Sequence, residues 1–343
     1  MKKIEYKVFS AAIHRKNWLK KIANTCRFEL TYRCQLNCRQ CYTSCYKHGK
    51  YLADELNTES IKCILNGIYE AGALWICFSG GDPFMREDFL EIYKHAKRKG
   101  FLITIFTNGC SVTGEAIKVL KKSPPFAIEI TINAVSEDLY ERITQVKGAF
   151  NKAMAGIDLI LKAGIPLKLK TVITRDNLKE WPNIRRFADR LGVKLLTSPI
   201  LNARLDGDTD LCNLRIQPKD FLGLEKDAKK PLPDIRSQGN FSCSILTRPT
   251  IIIDPYGNMV PCCMLREPRF SLLEDYSVKD ALKKNAAYLG KMNIAMPLKC
   301  KRCAIKRFCF ACPGMAQLET RDMSKSIDYF CRVAHILAGE NRI

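Results

Sequence analysis

The residues best suited to chemistry are three closely spaced cysteines near the start of the chain: Cys34, Cys38 and Cys41. They form a C-x3-C-x2-C array directly after the apolar, strand-like run from Phe28 to Tyr32. Thiolates are the usual ligands of iron–sulfur clusters, and three of them this close can bind three corners of one compact metal centre. The fourth corner is then open to a small molecule. A structural zinc site is the alternative, with Cys45 or His48 as its fourth ligand.

Composition and charge restrict the class of protein. The 343 residues are 47% hydrophobic and 27% charged, without a long apolar run or a signal peptide. We therefore expect a soluble cytoplasmic protein with one large domain and a smaller one. In a reducing compartment, seventeen cysteines indicate metal ligation rather than disulfides. The net charge of +21 attracts acidic partners, but the basic residues are spread along the chain, so neither nucleic acid nor a membrane is an expected partner.

Between residues 26 and 200, short apolar runs with strand character alternate with longer stretches of helical period. The predicted strands are Arg27–Tyr32, Leu74–Phe78, Leu102–Phe106, Ala127–Ile132, Leu167–Ile173 and Lys194–Ser198. The predicted helices are Thr58–Ala71, Glu87–Lys99, Gly114–Lys122, Phe150–Ala163 and Leu178–Leu191. Six βα units in a row predict parallel strands with helices outside, in a barrel-like or an open α/β sheet.

Polar or glycine-rich segments follow the first four predicted strands. The cysteine array follows the first strand, Ser79-Gly80-Gly81-Asp82-Pro83 the second, Thr107-Asn108-Gly109 the third and Asn133 the fourth. Each segment alone also fits ordinary turn chemistry. Because ligands of parallel sheets bind at the carboxyl ends of the strands, four such segments together indicate a binding site.

These features together resemble the radical S-adenosylmethionine (SAM) enzymes over about residues 26–200. The resemblance implies a partial (β/α)6 TIM-like barrel in which the three cysteines hold a [4Fe-4S] cluster whose free iron chelates SAM. It also implies a set of SAM-binding residues: Gly80, Gly81, Asp82, Thr107, Asn108, Thr131 and Asn133. Two positions depart from the family pattern, because Gln40 replaces a frequent aromatic residue and Thr131-Ile132-Asn133 replaces a frequent Ser-x-Asp.

A second group of cysteines lies in the last third of the chain: Cys243, Cys262, Cys300, Cys303, Cys309, Cys312 and Cys331. Zinc knuckles are the alternative here, but only five residues separate the two C-x2-C pairs, where a zinc ribbon has roughly 15–20. The order of these cysteines, with Gly257 among them, resembles the SPASM extension of the radical SAM enzymes. One departure is that two residues, not three, separate Cys309 from Cys312.

The SPASM resemblance implies two auxiliary [4Fe-4S] clusters. Cys243, Cys262 and Cys312 would hold the first, and Cys300, Cys303, Cys309 and Cys331 the second. The fourth ligand of the first cluster stays open between Cys263, Cys212, the substrate and no ligand at all. Of the remaining thiols, Cys63 and Cys77 are interpreted as buried small hydrophobic residues. Cys110 is a candidate catalytic thiol, and the catalytic residues are otherwise unassigned.

The chain therefore divides into a basic N-terminal arm (1–25), the radical SAM partial barrel (26–200), a bridging segment (201–242) and a small, loop-rich, cysteine-rich iron–sulfur domain (243–343). Within the arm we expect a short helix or an extended segment, and in the bridge one helix near Phe221–Ala228. A β-hairpin is predicted over Ile251 to Asn258, with Asp254 and Tyr256 in its turn.

The resemblance implies reductive cleavage of SAM to a 5′-deoxyadenosyl radical that abstracts hydrogen from a substrate C–H bond, with flavodoxin or ferredoxin as electron donor. Oxidative modification of a ribosomally made peptide, by crosslinking, excision or epimerisation, is the favoured reaction. Since only about 25 residues precede the barrel, a separate leader-peptide recognition protein is expected. The second hypothesis is maturation of a protein or cofactor, such as sulfatase formylglycine formation. The third is a non-catalytic iron–sulfur electron carrier.

Overall fold

One sheet runs through the protein in this computed structural model, which describes residues 5–19, 22–47, 49–227, 250–292, 300 and 302–339. Its nine strands are β1 (Thr25–Thr31), β2 (Trp75–Gly80), β3 (Leu102–Thr107), β4 (Ala127–Thr131), β5 (Leu167–Val172), β6 (Lys194–Ser198), β7 (Thr250–Ile253), β8 (Asn258–Met259) and β9 (Phe270–Ser271). The spatial order is β6-β5-β4-β3-β2-β1-β7-β8-β9. Strands β1 to β6 pair in parallel with their neighbours, so the six predicted strands and their parallel arrangement are confirmed.

The described helices either connect the parallel strands and pack on one face of the sheet, or precede or follow these strands along the chain. They are α1 (Tyr6–Leu19), α2 (Lys50–Ala53), α3 (Thr58–Glu70), α4 (Phe89–Arg98), α5 (Gly114–Lys122), α6 (Glu137–Thr144), α7 (Ala149–Lys162), α8 (Trp181–Arg190), α9 (Asp220–Asp227), α10 (Val278–Met292), α11 (Pro313–Thr320) and α12 (Asp328–Leu337). All five helices predicted between the strands are present. Helix α6 was not predicted, because its eight residues give too short a periodic pattern.

The two faces of the sheet differ in chemistry because successive side chains of a strand point to opposite sides. Toward the helices, Phe28, Phe78, Ile105 and Ile128 are fully buried in the main hydrophobic core. The other face, called the inner face below, carries Arg27, Cys77, Phe106, Glu129, Lys168 and Lys170. The inner face is therefore the more polar of the two.

The C-terminal region shares the main sheet. Strand β7 pairs in parallel with β1, and β8 returns antiparallel to β7. The predicted hairpin is therefore confirmed, and the Asp254 carboxylate accepts hydrogen bonds from the backbone N–H groups of Tyr256 and Asn258 in its turn. The sequence pattern places the residues of β7 in a separate iron–sulfur domain. In the structure, β7 instead extends the barrel sheet by pairing with the free edge of β1.

The remaining segments are helical where they are described. Helix α1 lies within the predicted basic arm, and Trp75 donates a hydrogen bond from its indole N–H to the Tyr6 hydroxyl at 3.0 Å. Helix α9 confirms the helix predicted in the bridge, whereas residues 228–249, including Cys243, lie outside the described residues. Among the described helices, none combines the length and the apolarity that crossing a membrane requires.

Candidate active site at the carboxyl edge of the sheet

The three cysteines of the first array lie in one loop directly after β1. The loop is anchored by Leu36, which is buried in the main core, and it turns where the Cys41 N–H donates to the Cys38 carbonyl. Its backbone is also bound to the end of α6, because the N–H groups of Asn37 and Arg39 donate to the carbonyls at the C-terminus of that helix, each at 2.9 Å. The unpredicted helix α6 therefore positions the cysteine loop.

The three thiols lie near one another and are partly buried. Burial raises the pKa of Cys34 to about 11 and, with repulsion from Cys41 and Cys34, the pKa of Cys38 to about 12. Among the described residues, no three His, Cys, Asp or Glu side chains are arranged to hold a single metal ion. Three thiols that share one loop match the usual ligand set of an iron–sulfur cluster, which is held through thiolates.

The zinc alternative at this loop finds no support in the described residues. Cys45, its possible fourth ligand, packs instead in a small apolar cluster with Ala203 and Leu205. The other possible ligand, His48, lies outside the described residues.

The glycine pair after β2 lies directly against the backbone that leads into Cys34. Gly81 donates its N–H to the Thr31 carbonyl at 2.7 Å, and Asp82 donates its N–H to the Arg33 carbonyl at 2.9 Å. A Cβ on Gly80 would come within 2.0 Å of the Thr31 carbonyl oxygen, and one on Gly81 within 2.2 Å of that of Arg33. Side chains are therefore excluded at both positions by this close approach of two backbones.

Asp82 joins the ends of β2 and β3. Its buried carboxylate accepts hydrogen bonds from the Thr107 hydroxyl at 2.7 Å and from the backbone N–H groups of Asn108 at 3.1 Å and Phe84 at 3.0 Å. Burial raises the pKa of Asp82, and the hydrogen bonds from Thr107 and Asn108 oppose that rise. Through these hydrogen bonds, Asp82 and Thr107 fix the backbone at the ends of β2 and β3.

Asn108 connects the end of β3 to the first cysteine. Its side-chain N–H donates to the Cys34 thiol at 3.5 Å, and its amide pairs with that of Gln35 through bonds of 2.9 and 3.3 Å. Gln35 also donates to the Ser111 hydroxyl at 3.0 Å. Sequence reasoning missed Gln35, because its position between two cysteines carries no signal of its own.

Asn133 belongs to the neighbouring pair of strand ends. Its side-chain oxygen accepts from the Val172 N–H at 3.1 Å, and its backbone carbonyl accepts from the Asn177 side chain at 2.9 Å. These bonds join the end of β4 to the end of β5. The structure therefore brings the first three predicted segments together through hydrogen bonds, and it places Thr131 and Asn133 at the end of β4, the next strand along the same edge.

Cys110 lies near this site without the features of an activated nucleophile. Burial raises the pKa of its thiol to about 11, whereas a nucleophilic cysteine needs a lowered pKa. The thiol donates to the Ala149 carbonyl at 3.4 Å. This environment is that of a structural thiol.

A second group of thiols lines a cavity in the C-terminal region. The cavity encloses about 650 Å³, including the part open to solvent. Its wall contains five cysteines and one histidine: Cys300, Cys303, Cys309, Cys312, Cys331 and His335. Five thiols around one space fit the chemistry of an iron–sulfur cluster. His335 was not identified from the sequence, although it stands one turn after Cys331 on α12.

Cys262 lies close to this cavity. A Cβ on Gly314, at the start of α11, would lie 3.5 Å from the Cys262 sulfur. Burial raises the pKa of Cys262 to about 12, and repulsion from Cys263 and Cys312 adds to the rise. The structure thus places Cys262 beside Cys312, as the predicted first auxiliary cluster requires, while the third predicted ligand, Cys243, lies outside the described residues.

Four other thiols are placed as follows. Cys263 accepts a hydrogen bond from Arg27 of β1 at 3.1 Å, whereas Cys212 packs beside Ala203 and Leu205. The interpretation of Cys63 as a buried residue is wrong: the thiol is exposed, because the buried side of α3 is formed by other residues. Cys77 is only partly buried, since its strand position turns it to the inner face.

Comparison with known sequences identifies a domain. Residues 28–188 match the Radical SAM superfamily. The AdoMet-dependent heme synthase of Oleidesulfovibrio alaskensis is 31% identical over 165 residues, which are 48% of this chain and 42% of that protein. The PqqA peptide cyclase of Gluconobacter oxydans is 32% identical over 164 residues, 48% of this chain and 45% of the relative. The chain thus spans less than half the length of these curated relatives.

Comparison with solved structures extends over nearly the whole chain. Streptococcus suis SuiB bound to S-adenosylmethionine has a TM-score of 0.70 at 13% identity, covering 94% of this chain and 81% of that one. Native anSMEcpe with bound AdoMet has a TM-score of 0.69 at 13% identity, covering 93% and 100%. Similarity at this level of identity concerns the fold, and it confirms the predicted partial barrel with a cysteine-rich C-terminal region.

Proposed function

The chain carries a radical SAM domain over residues 28–188, and from this premise we propose that it cleaves SAM reductively and abstracts hydrogen from a substrate C–H bond. The observation that carries the proposal is the set of hydrogen bonds around Cys34. Through them the cysteine loop is joined to the glycine pair after β2 and to Asn108 after β3. A cysteine loop used only for structure has no need of this connection to the edge where ligands of parallel sheets bind.

In this proposal Cys34, Cys38 and Cys41 hold a [4Fe-4S] cluster, and SAM lies along the carboxyl edge of the sheet. When bound, the cluster and SAM supply a 5′-deoxyadenosyl radical, chemistry that side chains do not provide. The residues of the chain orient these groups. Gly80 and Gly81 offer backbone to SAM, Asp82 and Thr107 fix the strand ends, and Asn108 orients the sulfur of Cys34. Thr131 and Asn133 are assigned to the ribose.

The C-terminal cavity supports a further part of the proposal. Cys300, Cys303, Cys309 and Cys331 are assigned to one auxiliary cluster, and Cys262 and Cys312, with Cys243, to another. Cys263 is favoured over Cys212 as an additional ligand, because Cys263 immediately follows Cys262, whereas Cys212 packs beside Ala203 and Leu205. These clusters would accept the electron left on the substrate, so that the net reaction is an oxidation.

We assign a ribosomally made peptide as the substrate. Relatives named PqqA peptide cyclase support this assignment, as do the structures of SuiB bound to precursor peptide SuiA and of anSMEcpe with bound Kp18Cys peptide. Flavodoxin or ferredoxin is the proposed electron donor, and the cytoplasm the proposed location. Relatives named AdoMet-dependent heme synthase favour the second candidate, maturation of a cofactor.

The cluster assignments can be tested by reconstituting the protein without oxygen and measuring its iron and sulfide content. We expect about twelve irons per chain, because each of three [4Fe-4S] clusters contributes four. Cys38→Ala should remove about four of them and also the change that SAM produces in the electron paramagnetic resonance (EPR) spectrum of the reduced protein. Cys63→Ala, at an exposed thiol on α3, is the matched control and should behave as wild type.

Two results would contradict these assignments. Full iron content with an EPR spectrum that ignores SAM would favour a non-catalytic iron–sulfur electron carrier. About four irons with zinc in the remaining sites would remove the auxiliary clusters.

A further inference from the structure

A group of cations lies on the inner face of the sheet, outside the residues assigned to SAM. Strand pairing places Arg27 opposite Cys77, Glu129 opposite Lys168, and Thr131 opposite Lys170. Because these positions alternate with the buried outer-face residues, their side chains share the inner face. The register therefore brings cations from β1 and β5 toward a common space.

The aromatic ring of Phe106 on β3 lies close to two of these cations. The Lys170 ammonium is 3.0 Å from the centroid of the Phe106 ring, and the Arg27 guanidinium carbon is 5.2 Å from the same centroid. Cations are attracted to the face of such a ring. Phe106 thus helps to hold both cations near the middle of the inner face.

Carboxylates only partly neutralise this group. Glu129 lies 3.2 Å from the Lys168 ammonium and 3.7 Å from that of Lys170. The nearby Glu29 carboxylate is already held by Arg266 at 2.9 Å and by the Tyr32 hydroxyl at 2.8 Å. Within the described part of the chain, Glu129 is the one carboxylate that forms an ion pair with any of Arg27, Lys168 and Lys170.

The excess charge has an energetic consequence. Two carboxylates, Glu29 and Glu129, are shared among Arg27, Lys168, Lys170 and Arg266 on a partly buried face, and a buried charge is unfavourable unless it is paired. Burial, together with the nearby Arg27, lowers the pKa of Lys170 to about 8, although Cys77 and Glu129 oppose the shift. An anionic group from a ligand would relieve this imbalance.

The location suits a substrate group. Lys170 pairs with Thr131 at the carboxyl end of β4, next to the residues assigned to SAM. On the opposite side, Arg27 donates its hydrogen bond to Cys263, which follows the auxiliary-cluster ligand Cys262. The cations therefore lie between the proposed radical source and the proposed electron acceptor.

We propose that Lys170 and Arg27, which both lie against Phe106, bind a carboxylate of the substrate, so that the peptide presents an aspartate or glutamate side chain to the inner face. The inference rests on the proposed function and narrows its substrate class to acidic peptides. Lys168 and Glu129 are positioning residues, because Glu129 is shared between the closer Lys168 and the more distant Lys170, so that Lys170 is only partly neutralised.

The test compares two pools of fluorescently labelled synthetic peptides that are identical except for a fixed central glutamate or glutamine. Binding to reconstituted protein is followed by fluorescence anisotropy. A charged hydrogen bond should give the glutamate pool about tenfold tighter binding to the wild-type protein. The preference should fall below about threefold in Lys170→Met, return in part in Lys170→Arg, and be unchanged in Lys118→Met, an exposed lysine on α5.

Equal binding of the two pools to wild type, or the same preference in Lys170→Met, would overturn the inference. Thermal unfolding shows whether each variant is folded. The SAM-induced change in the EPR spectrum, recorded on the same samples, separates the two proposals. If the wild-type protein keeps this EPR change but shows no preference for glutamate, only the carboxylate site is refuted. If the wild-type protein lacks the EPR change, the radical SAM activity itself is refuted.

Discussion

The Asn108 side chain donates a hydrogen bond to the Cys34 thiol across 3.5 Å. The bond joins the end of the third strand to the first residue of the cysteine array, 74 positions earlier in the chain. Groups that hydrogen-bond a metal ligand orient it and tune its chemistry. Asn108 is also bound through its backbone to Asp82, so one residue links three strand ends to the proposed cluster.

Replacement of Asn108 by alanine should slow SAM cleavage more than it lowers iron content. The three cysteines remain in Asn108→Ala, but the Cys34 sulfur and the Gln35 amide lose a partner. Leaving a buried polar group without its partner costs about 1–3 kcal/mol, which corresponds to a rate slower by roughly 5- to 150-fold. Iron content and the rate of 5′-deoxyadenosine formation, measured on the same preparation, check this. Asn66→Ala, which removes a hydrogen bond to the His95 ring between α3 and α4, is the control.

A methyl group at Gly81 should disturb the cysteine loop. In Gly81→Ala the new Cβ would lie 2.2 Å from the Arg33 carbonyl oxygen, so one backbone must move. We expect a loss of about 1–3 kcal/mol in the free energy of unfolding, together with incomplete iron incorporation. Gly290→Ala on α10, where no atom lies within 4 Å of the added Cβ, should instead gain about 0.5–1 kcal/mol. Equal behaviour of the two variants would show that the glycine pair is not needed for close packing.

The buried pair of Glu29 and Arg266 should hold the C-terminal region onto β1. Glu29→Gln leaves the Arg266 guanidinium buried without its charge partner, and breaking such a pair costs about 3–5 kcal/mol. Chemical denaturation measures this loss. Asp158→Asn, which breaks the exposed ion pair with Lys162, is the control and should cost below about 1 kcal/mol. A loss as small as the control's would mean that the interaction does not stabilise this junction.

The stability of the protein should depend on pH through Lys170. Its pKa of about 8 in the folded protein lies below the ordinary value of 10.5, so the unfolded chain binds more protons between these two values. The stability of the wild-type protein should therefore rise with pH across this window. The groups facing Lys170 are Glu129 on β4, Cys77 on β2 and Arg27 on β1.

Lys170→Met should accordingly be more stable than wild type at about pH 7, by about 1–3 kcal/mol, and this advantage should shrink toward about pH 10. Unfolding of both proteins at the two pH values measures it, with Lys118→Met as the exposed control. A variant less stable by the same amount at both values would identify Lys170 as a structural ion-pair partner.

The strands and most helices of the barrel could be predicted because their signals are local. Apolar runs such as that of β3 and the helical period of α5 lie within a few consecutive residues. Helix α6 was missed because it is short, and the pairing of β7 with β1 because two segments more than 200 residues apart give no common local signal. The bonds of Gln35 with Asn108, and the meeting of Arg27, Phe106 and Lys170, depend in the same way on tertiary register.

The central claim is that the cysteine loop and the adjacent strand ends support radical cleavage of SAM. The most direct measurement is the formation of 5′-deoxyadenosine, detected by mass spectrometry, after dithionite and SAM are added to the reconstituted protein. The account predicts that 5′-deoxyadenosine forms in wild type and Cys63→Ala and is lost in Cys38→Ala. If a fully iron-loaded wild-type protein forms no more 5′-deoxyadenosine than Cys38→Ala, the account is contradicted.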